Sequence, residues 1–170
     1  MTFSIRGQEL DIEAVEDTVD VGDDMVIKVY GDPNTDYYLT VTGVNKDEPP
    51  GIDKTENVEA LDEEGKAADG TPNLAAWIRT EDEGLAEVKI DTTGADDRTY
   101  TIYVYYLPVK KDGTLLTPIT EFVKDSDIDR SKTEDYEDED IQVREPTVTF
   151  DIPKSVTIGE NVDIKGTISA

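Results

Sequence analysis

Apolar and polar residues alternate with a period of two along most of this chain, and that period predicts strands. From Asp24 to Gly31, Met25, Ile27 and Val29 point one way while Val26, Lys28 and Tyr30 point the other. Tyr37 to Thr42 alternates again, with Leu39 and Val41 inward, and stops at Gly43. Leu85 to Asp91 sets Ala86, Val88 and Ile90 against Glu87, Lys89 and Asp91. Thr99 to Leu107 carries Tyr, Ile and Val on both faces, the mark of a central strand covered on both sides or partly by a neighbour. Ile141 to Phe150 reads as a further strand, interrupted at Pro146. Lys110-Lys111-Asp112-Gly113 reads as a hairpin turn, because Asp-Gly accepts the positive φ angles of a tight turn. Asn73 to Arg79 reads either as a short helix capped by Asn73 or as a strand with Trp77 inward; the strand suits its neighbours better. Residues 45–73, with Pro49-Pro50-Gly51, and residues 125–140 break the alternation, and both are expected to be acidic loops, the second of them mobile.

Short strands, turn signals between them and no long helix predict an all-β fold, an immunoglobulin-like antiparallel β-sandwich with long acidic loops. Asp96-Asp97-Arg98-Thr99-Tyr100 leads into the strongest strand, where such sandwiches carry a corner tyrosine; Tyr100 is either that residue or simply another strand aromatic. In the corner register, Ile102 takes the place of an antibody domain's second cysteine, and Ile27 packing with Ile102 would replace the disulfide between the sheets.

The chain also repeats itself. Residues 19–29 (V-D-V-G-D-D-M-V-I-K-V) align without a gap on residues 156–166 (V-T-I-G-E-N-V-D-I-K-G), with Val19/Val156, Gly22/Gly159, Ile27/Ile164 and Lys28/Lys165 identical. A Thr-Phe-x-Ile tetrapeptide stands upstream of each copy, at residues 2–5 and 149–152. Such echoes mark tandem modules. Residues 1–147 are therefore read as one module, with the boundary near Pro146, and residues 148–170 as the opening strands of a following, truncated one, the whole cut from a longer array. Two strands cannot bury a core alone, so Val156, Ile158, Val162 and Ile164 are expected to dock on their own sheet or to pair with another molecule.

Charge narrows the function. With 41 acidic residues against 16 basic ones, the net charge of -25 repels nucleic acid and anionic lipid, so neither is expected as a partner. No Cys or His is present, which removes disulfides, thiolate nucleophiles, imidazole bases and zinc sites built on them. No apolar run approaches the ~20 residues of a membrane-spanning helix. Any leader or anchor is expected outside this stretch.

Candidate chemistry is sparse. Asp125-Ser126-Asp127-Ile128-Asp129 offers oxygen ligands at alternate positions, but an EF-hand frame wants Gly and Glu where Arg130 and Tyr136 stand. A less regular calcium site with Glu134, Asp135 or Asp138 competes with a plain solvated charge run, and the charge run is preferred. Trp77, Tyr37, Tyr38, Tyr103, Tyr105 and Tyr106 form either a sugar-stacking platform or packing between layers, and packing is preferred. Carboxylates are too abundant for catalytic spacing to mean anything, and none lies in an apolar run that would raise its pKa. No catalytic, cofactor-binding or metal residue is assigned, no cofactor is expected, and the chain is read as a non-enzyme. Asn34, Asn45, Asn57, Asn73 and Asn161 all lack the Ser or Thr of a glycosylation sequon.

Several segments together resemble the surface-layer glycoproteins of methanogenic archaea: Asp36-Tyr37-Tyr38-Leu39-Thr40-Val41-Thr42-Gly43 with Pro49-Pro50-Gly51, Val88 to Gly94, Thr99 to Val104, and Phe150 to Ile168. The resemblance touches about half the chain, on motifs that are each weakly specific; it is their order that carries it. It implies secreted sandwich modules in tandem, tiling into a lattice around the cell, often glycosylated and often acidic, with neighbouring copies of the same protein as partners. In such a layer the acidic surface is expected to hold divalent cations between the carboxylates of neighbouring subunits. An adhesion or carbohydrate-binding module is the alternative. The missing sequons depart from the family's glycosylated pattern.

Overall fold

A computed structural model of the protein describes residues 9–43, 49–61, 74–118, 122–151 and 165–169. In chain order the strands are β1 (Asp11–Ala14), β2 (Thr18–Asp20), β3 (Asp24–Tyr30), β4 (Asp36–Thr42), β5 (Gly51–Ile52), β6 (Val58–Leu61), β7 (Ala75–Arg79), β8 (Leu85–Asp91), β9 (Arg98–Tyr106), β10 (Asp135–Arg144), β11 (Thr147–Asp151) and β12 (Lys165–Ser169). A four-stranded sheet runs β1-β3-β8-β5 and a six-stranded sheet runs β2-β10-β9-β4-β7-β6. The two pack as an immunoglobulin-like sandwich, while β11 and β12 make a separate two-stranded sheet.

The alternation predicted from the sequence decides which side of each strand is buried. Met25, Ile27 and Val29 of β3 and Val88 and Ile90 of β8 are fully buried, and they face Leu39 of β4 and Ile102 and Val104 of β9 in one continuous core. Burying each such side chain stabilises the fold by about 1.5–3 kcal/mol, so no disulfide is needed to join the sheets. Ile27 and Ile102 are both fully buried in this core, one from each sheet, as the disulfide-replacement reading requires.

The first strand is shared between the sheets. β1 pairs antiparallel with β3, the chain then crosses at Val15–Asp17, and β2 pairs parallel with β10. The turn after β2 needs Gly22, which sits at φ +101°. Its amide donates to the hydroxyl of fully buried Thr92, at 2.9 Å, and that hydroxyl donates to the Asp23 carbonyl at 2.5 Å. Buried Thr80 pins the next turn in the same way, accepting from the Thr35 amide and donating to the Asp32 carbonyl. A side chain at Gly31 would collide with the Tyr37 hydroxyl, which accepts the Asp32 amide at 2.8 Å.

Tyr100 is the corner tyrosine. It is buried, and its hydroxyl accepts from the Asp96 amide at 3.0 Å and donates to the Asp96 carbonyl at 3.2 Å. The predicted turn at Lys110–Gly113 is present, with Gly113 at φ +90° and its amide bonded to the Lys110 carbonyl.

Several expectations need correction. Residues 125–140 are not one mobile loop: Asp135 to Asp140 form the first part of β10, paired along β9 from Tyr106 to Thr101. Their acidic side chains deceive the eye because this first half of the strand is exposed or half-buried on both faces, while further along Ile141 and Val143 enter the core. Within residues 45–73 lie β5 and β6, and residues 44–48 and 62–73 lie outside the described set. Asn73 to Arg79 contains strand β7 and no helix, but Trp77 points away from the space between the sheets. Ile78, its neighbour in sequence, takes the inward position. The tetrapeptide at residues 2–5 and Val156, Ile158, Val162 and Ile164 also lie outside the described residues.

Replacing Tyr100 by Phe removes both corner bonds while keeping the ring. We expect a loss of about 1–2 kcal/mol in urea denaturation, with an unchanged slope. An unchanged midpoint would mean that the hydroxyl contributes nothing.

Candidate functional site

The aromatic residues singled out in the sequence gather at the six-stranded sheet, but they do not share one surface. Tyr37 faces the inter-sheet core and Tyr106 packs partly against it, their rings 5.6 Å apart. Tyr38 and Trp77 project from the opposite face with centroids 5.1 Å apart, and Tyr103 and Tyr105 stack beside them at 6.0 Å. This follows from the pleat: on β4 and β9 successive residues alternate sides, so Tyr37 and Tyr38 must part.

That outer face is covered. Between β9 and β10 the chain folds back across it, and Leu116, Val123 and Ile128 bury Tyr38, Ala75, Trp77 and Tyr105 in a second apolar cluster. Tyr38 fixes the covering segment to the sheet, since its hydroxyl donates to the Val123 carbonyl and accepts the Val123 amide, each at 2.8 Å. Main-chain bonds tie the segment to itself, including Lys111 to Asp127 and Asp129 to Val109. The sugar-stacking platform is therefore absent as a flat exposed surface; most of its rings serve packing.

Arg130 locks the cover in place. Its guanidinium holds both oxygens of Asp125 at 2.8 Å, donates through Nε to the Tyr105 hydroxyl at 3.1 Å, and lies 4.1 Å above the centre of the Tyr103 ring. The Tyr105 hydroxyl donates in turn to Asp125. A planar fork of donors suits this arrangement, in which one face stacks on a ring and one edge binds a carboxylate. Burial, reinforced by the hydrogen bond to Asp125, pushes the Tyr105 phenol well above its ordinary value. Tyr105 therefore stays protonated and keeps donating throughout the neutral and mildly alkaline range.

The candidate calcium loop is occupied by these same contacts. Asp125 and Asp127 lie in a single 3-10 turn, Asp125 is taken by Arg130 and Tyr105, and Asp129 is taken by Ser131 and by Lys132 at 2.7 Å. Lys132 and Ser131 hold the Asp129 carboxyl below the usual carboxylate range. Asp135 and Asp138 stand on β10 opposite Tyr106 and Tyr103, and Glu134 immediately precedes that strand. Among the described residues no group of three acidic side chains converges as metal ligands. Sequence reasoning missed Arg130 as the keystone; its placement beside an Asp-rich run and downstream of a Tyr-rich strand was the available signal.

Of the clefts beside the cover, one holds Trp77. It has a volume of about 380 Å³ and is lined by Asp36, Glu59, Asn57, Arg79, Trp77 and Pro118, among others. Trp77 Nε1 is buried with no hydrogen-bond partner among the described residues. Arg79 already bridges to Asp36 at 3.2 Å.

Trp77 is the sole tryptophan, so it reports on the cover. Replacing Arg130 by Ala removes three hydrogen bonds of the charged guanidinium and the cation–π contact, and we expect a loss of about 1–3 kcal/mol. Trp77 emission should shift to the red with easier quenching by acrylamide, and Lys at this position should restore little of it. An Arg130→Ala protein with wild-type emission and stability would remove Arg130 from this role.

No family model matches the chain, and the search of curated proteins gives no match either.

Proposed function

We propose that this chain is a non-catalytic structural module of an archaeal cell-surface layer, lying outside the cell and built from sandwich units in tandem. The observation that carries this reading is how the chain uses its own polar and aromatic groups. Tyr38, Tyr105, Asp125 and Arg130, the groups that could have served a ligand, hold the cover on the six-stranded sheet instead. Supporting it, β4 is buried on both faces and its partner β9 is buried inward and, at Tyr105, outward, which makes a stiff brick from a chain without disulfides.

The acidic surface is the part left for partners. At the end of β10 that runs beyond the core, on the face that further along carries Ile141 and Val143, Glu137 and Glu139 are held above the usual carboxylate range, first by partial burial and then by neighbouring charges that include Asp135, Asp11, Asp17 and Asp140. Asp53 is raised for the same reasons, with Asp24 and Asp91 as its charged neighbours. Such carboxylates repel each other in the folded state. Cations from the medium would relieve that repulsion and bridge neighbouring copies in a layer.

The sign follows from linkage. A carboxyl raised in the folded state takes up its proton earlier there than in the unfolded chain, so it adds stability as pH falls through its raised value. Asp112 and Asp129, which are lowered, stay ionised throughout that window and do not offset the gain. We therefore expect the melting temperature to rise as pH falls from 7 toward about 5, with the rise diminished in high salt. A melting temperature indifferent to both would leave the surface field without consequence.

The layer reading is tested by sedimentation and electron microscopy of the protein with calcium and with chelator. Ordered or concentration-dependent assembly with calcium, reversed by chelator, is expected. Unchanged size and melting temperature in both conditions would refute the proposal. A second reading, an adhesion or carbohydrate-binding module, is favoured by the cleft that Trp77 shares with Asp36, Asn57 and Glu59. Sugar-dependent quenching of Trp77 in a protein that never assembles would select it.

A further inference from the structure

The small sheet formed by β11 and β12 pairs in a way that can be compared with the start of the chain. β1 and β3 pair Asp11 with Tyr30, Ile12 with Val29 and Glu13 with Lys28. The gapless sequence repeat carries Lys28 onto Lys165, and so carries Lys28–Tyr30 onto Lys165–Thr167. Leaving one residue out of the connection carries Asp11 onto Thr149, Ile12 onto Phe150 and Glu13 onto Asp151. With both moves made, the three pairs become Thr149 with Thr167, Phe150 with Gly166 and Asp151 with Lys165. Those are pairs that β11 and β12 make.

The single omission also meets an independent requirement. It sets Val148 on Leu10, Phe150 on Ile12 and Ile152 on Ala14, so apolar positions stay in phase with the strand pleat. A shift of one residue more or less would put polar positions on the apolar ones. The tetrapeptide at residues 149–152 thus corresponds to the β1 region and not to residues 2–5.

In the first unit β3 has two partners, β1 on one side and β8 on the other, with pairs from Asp24 with Asp91 to Tyr30 with Leu85. β12 stands where β3 stands, yet among the described residues it pairs only with β11. We propose that the edge of β12 away from β11 is a docking edge for an antiparallel strand of the β8 type. Such a strand alternates apolar and charged residues, as Leu-Ala-Glu-Val-Lys-Ile-Asp does over Leu85–Asp91. The partner is therefore the body of a second sandwich unit, to which residues 147–170 contribute the opening pair of strands. Main-chain bonds would give this edge its affinity, and the alternating side chains its selectivity.

This inference rests on the tandem part of the reading above but not on the surface layer. The test lengthens the full chain after Ala170 by a second copy of residues 34–146, which contains β4 to β10 and lacks β1 to β3. The added segment has a complete sandwich only if residues 147–170 supply the missing strands. Backbone amide exchange of residues 165–169 is then compared with that in the original chain. We expect the amides not bonded to β11 to exchange at least about tenfold more slowly in the lengthened chain. Ile168→Asp, at a position in phase with Ile27 and Val29 of β3, should abolish the gain.

Because the lengthened chain could misfold for unrelated reasons, a second arm adds a peptide of residues 84–92 to the unmodified protein, with a peptide of scrambled order as control. Slowing of the same β12 amides by the ordered peptide alone is expected. Unchanged exchange of residues 165–169 in both arms overturns the proposal. If that happens while calcium still drives assembly, the strand assignment fails and the layer reading stands; protected β12 amides without any assembly give the converse.

Discussion

The pairing of β4 with β9 is the constraint on which the rest of this protein depends. These strands lie side by side at the middle of the six-stranded sheet; β4 is buried on both faces, and β9 is buried inward and, at Tyr105, outward. Inward, Leu39, Ile102 and Val104 close the sandwich against β3 and β8; outward, Tyr38 and Tyr105 carry the covering segment. A strand pair buried on both faces cannot slip by one residue, because every side chain would then exchange one environment for the other. The register of this pair therefore holds two cores in place at once.

Polar groups complete what the apolar ones begin. Four hydroxyls, those of Thr80, Thr92, Tyr38 and Tyr100, each bond main-chain groups of a turn or a covering segment that would otherwise have only water. All four residues are buried, and each sits at or within a strand that the alternation already fixes. Arg130 does the same across side chains, joining Asp125, Tyr105 and Tyr103. In a chain without cysteine, such bonds take the place of covalent links between loop and sheet.

The acidic surplus lies outside this framework. β10 shows the division within ten residues: Asp135 to Asp140 keep their charges mostly at the surface, while Ile141 and Val143 are fully buried. A charge-rich run can be a strand when its main chain is satisfied by a neighbour, here β9 along nearly its whole length. That is why composition alone misreads it. The alternation, and not the charge, sets the shape of the strand.

From the sequence alone, strands over residues 24–31, 37–42, 85–91 and 99–107, the sandwich class and the turn at Gly113 were legible, because each depends on neighbours close along the chain, while for Tyr100 the corner was one of two readings and its hydroxyl bonds decided it. The repeat at residues 156–166 was legible for the same reason. Which side of β7 Trp77 would take, that Leu116, Val123 and Ile128 would cover the sheet, that Arg130 would lock the cover and that an acidic run would form half of β10 were decided only by the tertiary structure. Each of those depends on a partner distant in sequence. A period of two says that the faces of a strand differ, and only the packing of sheets and crossing segments determines what lies against each face.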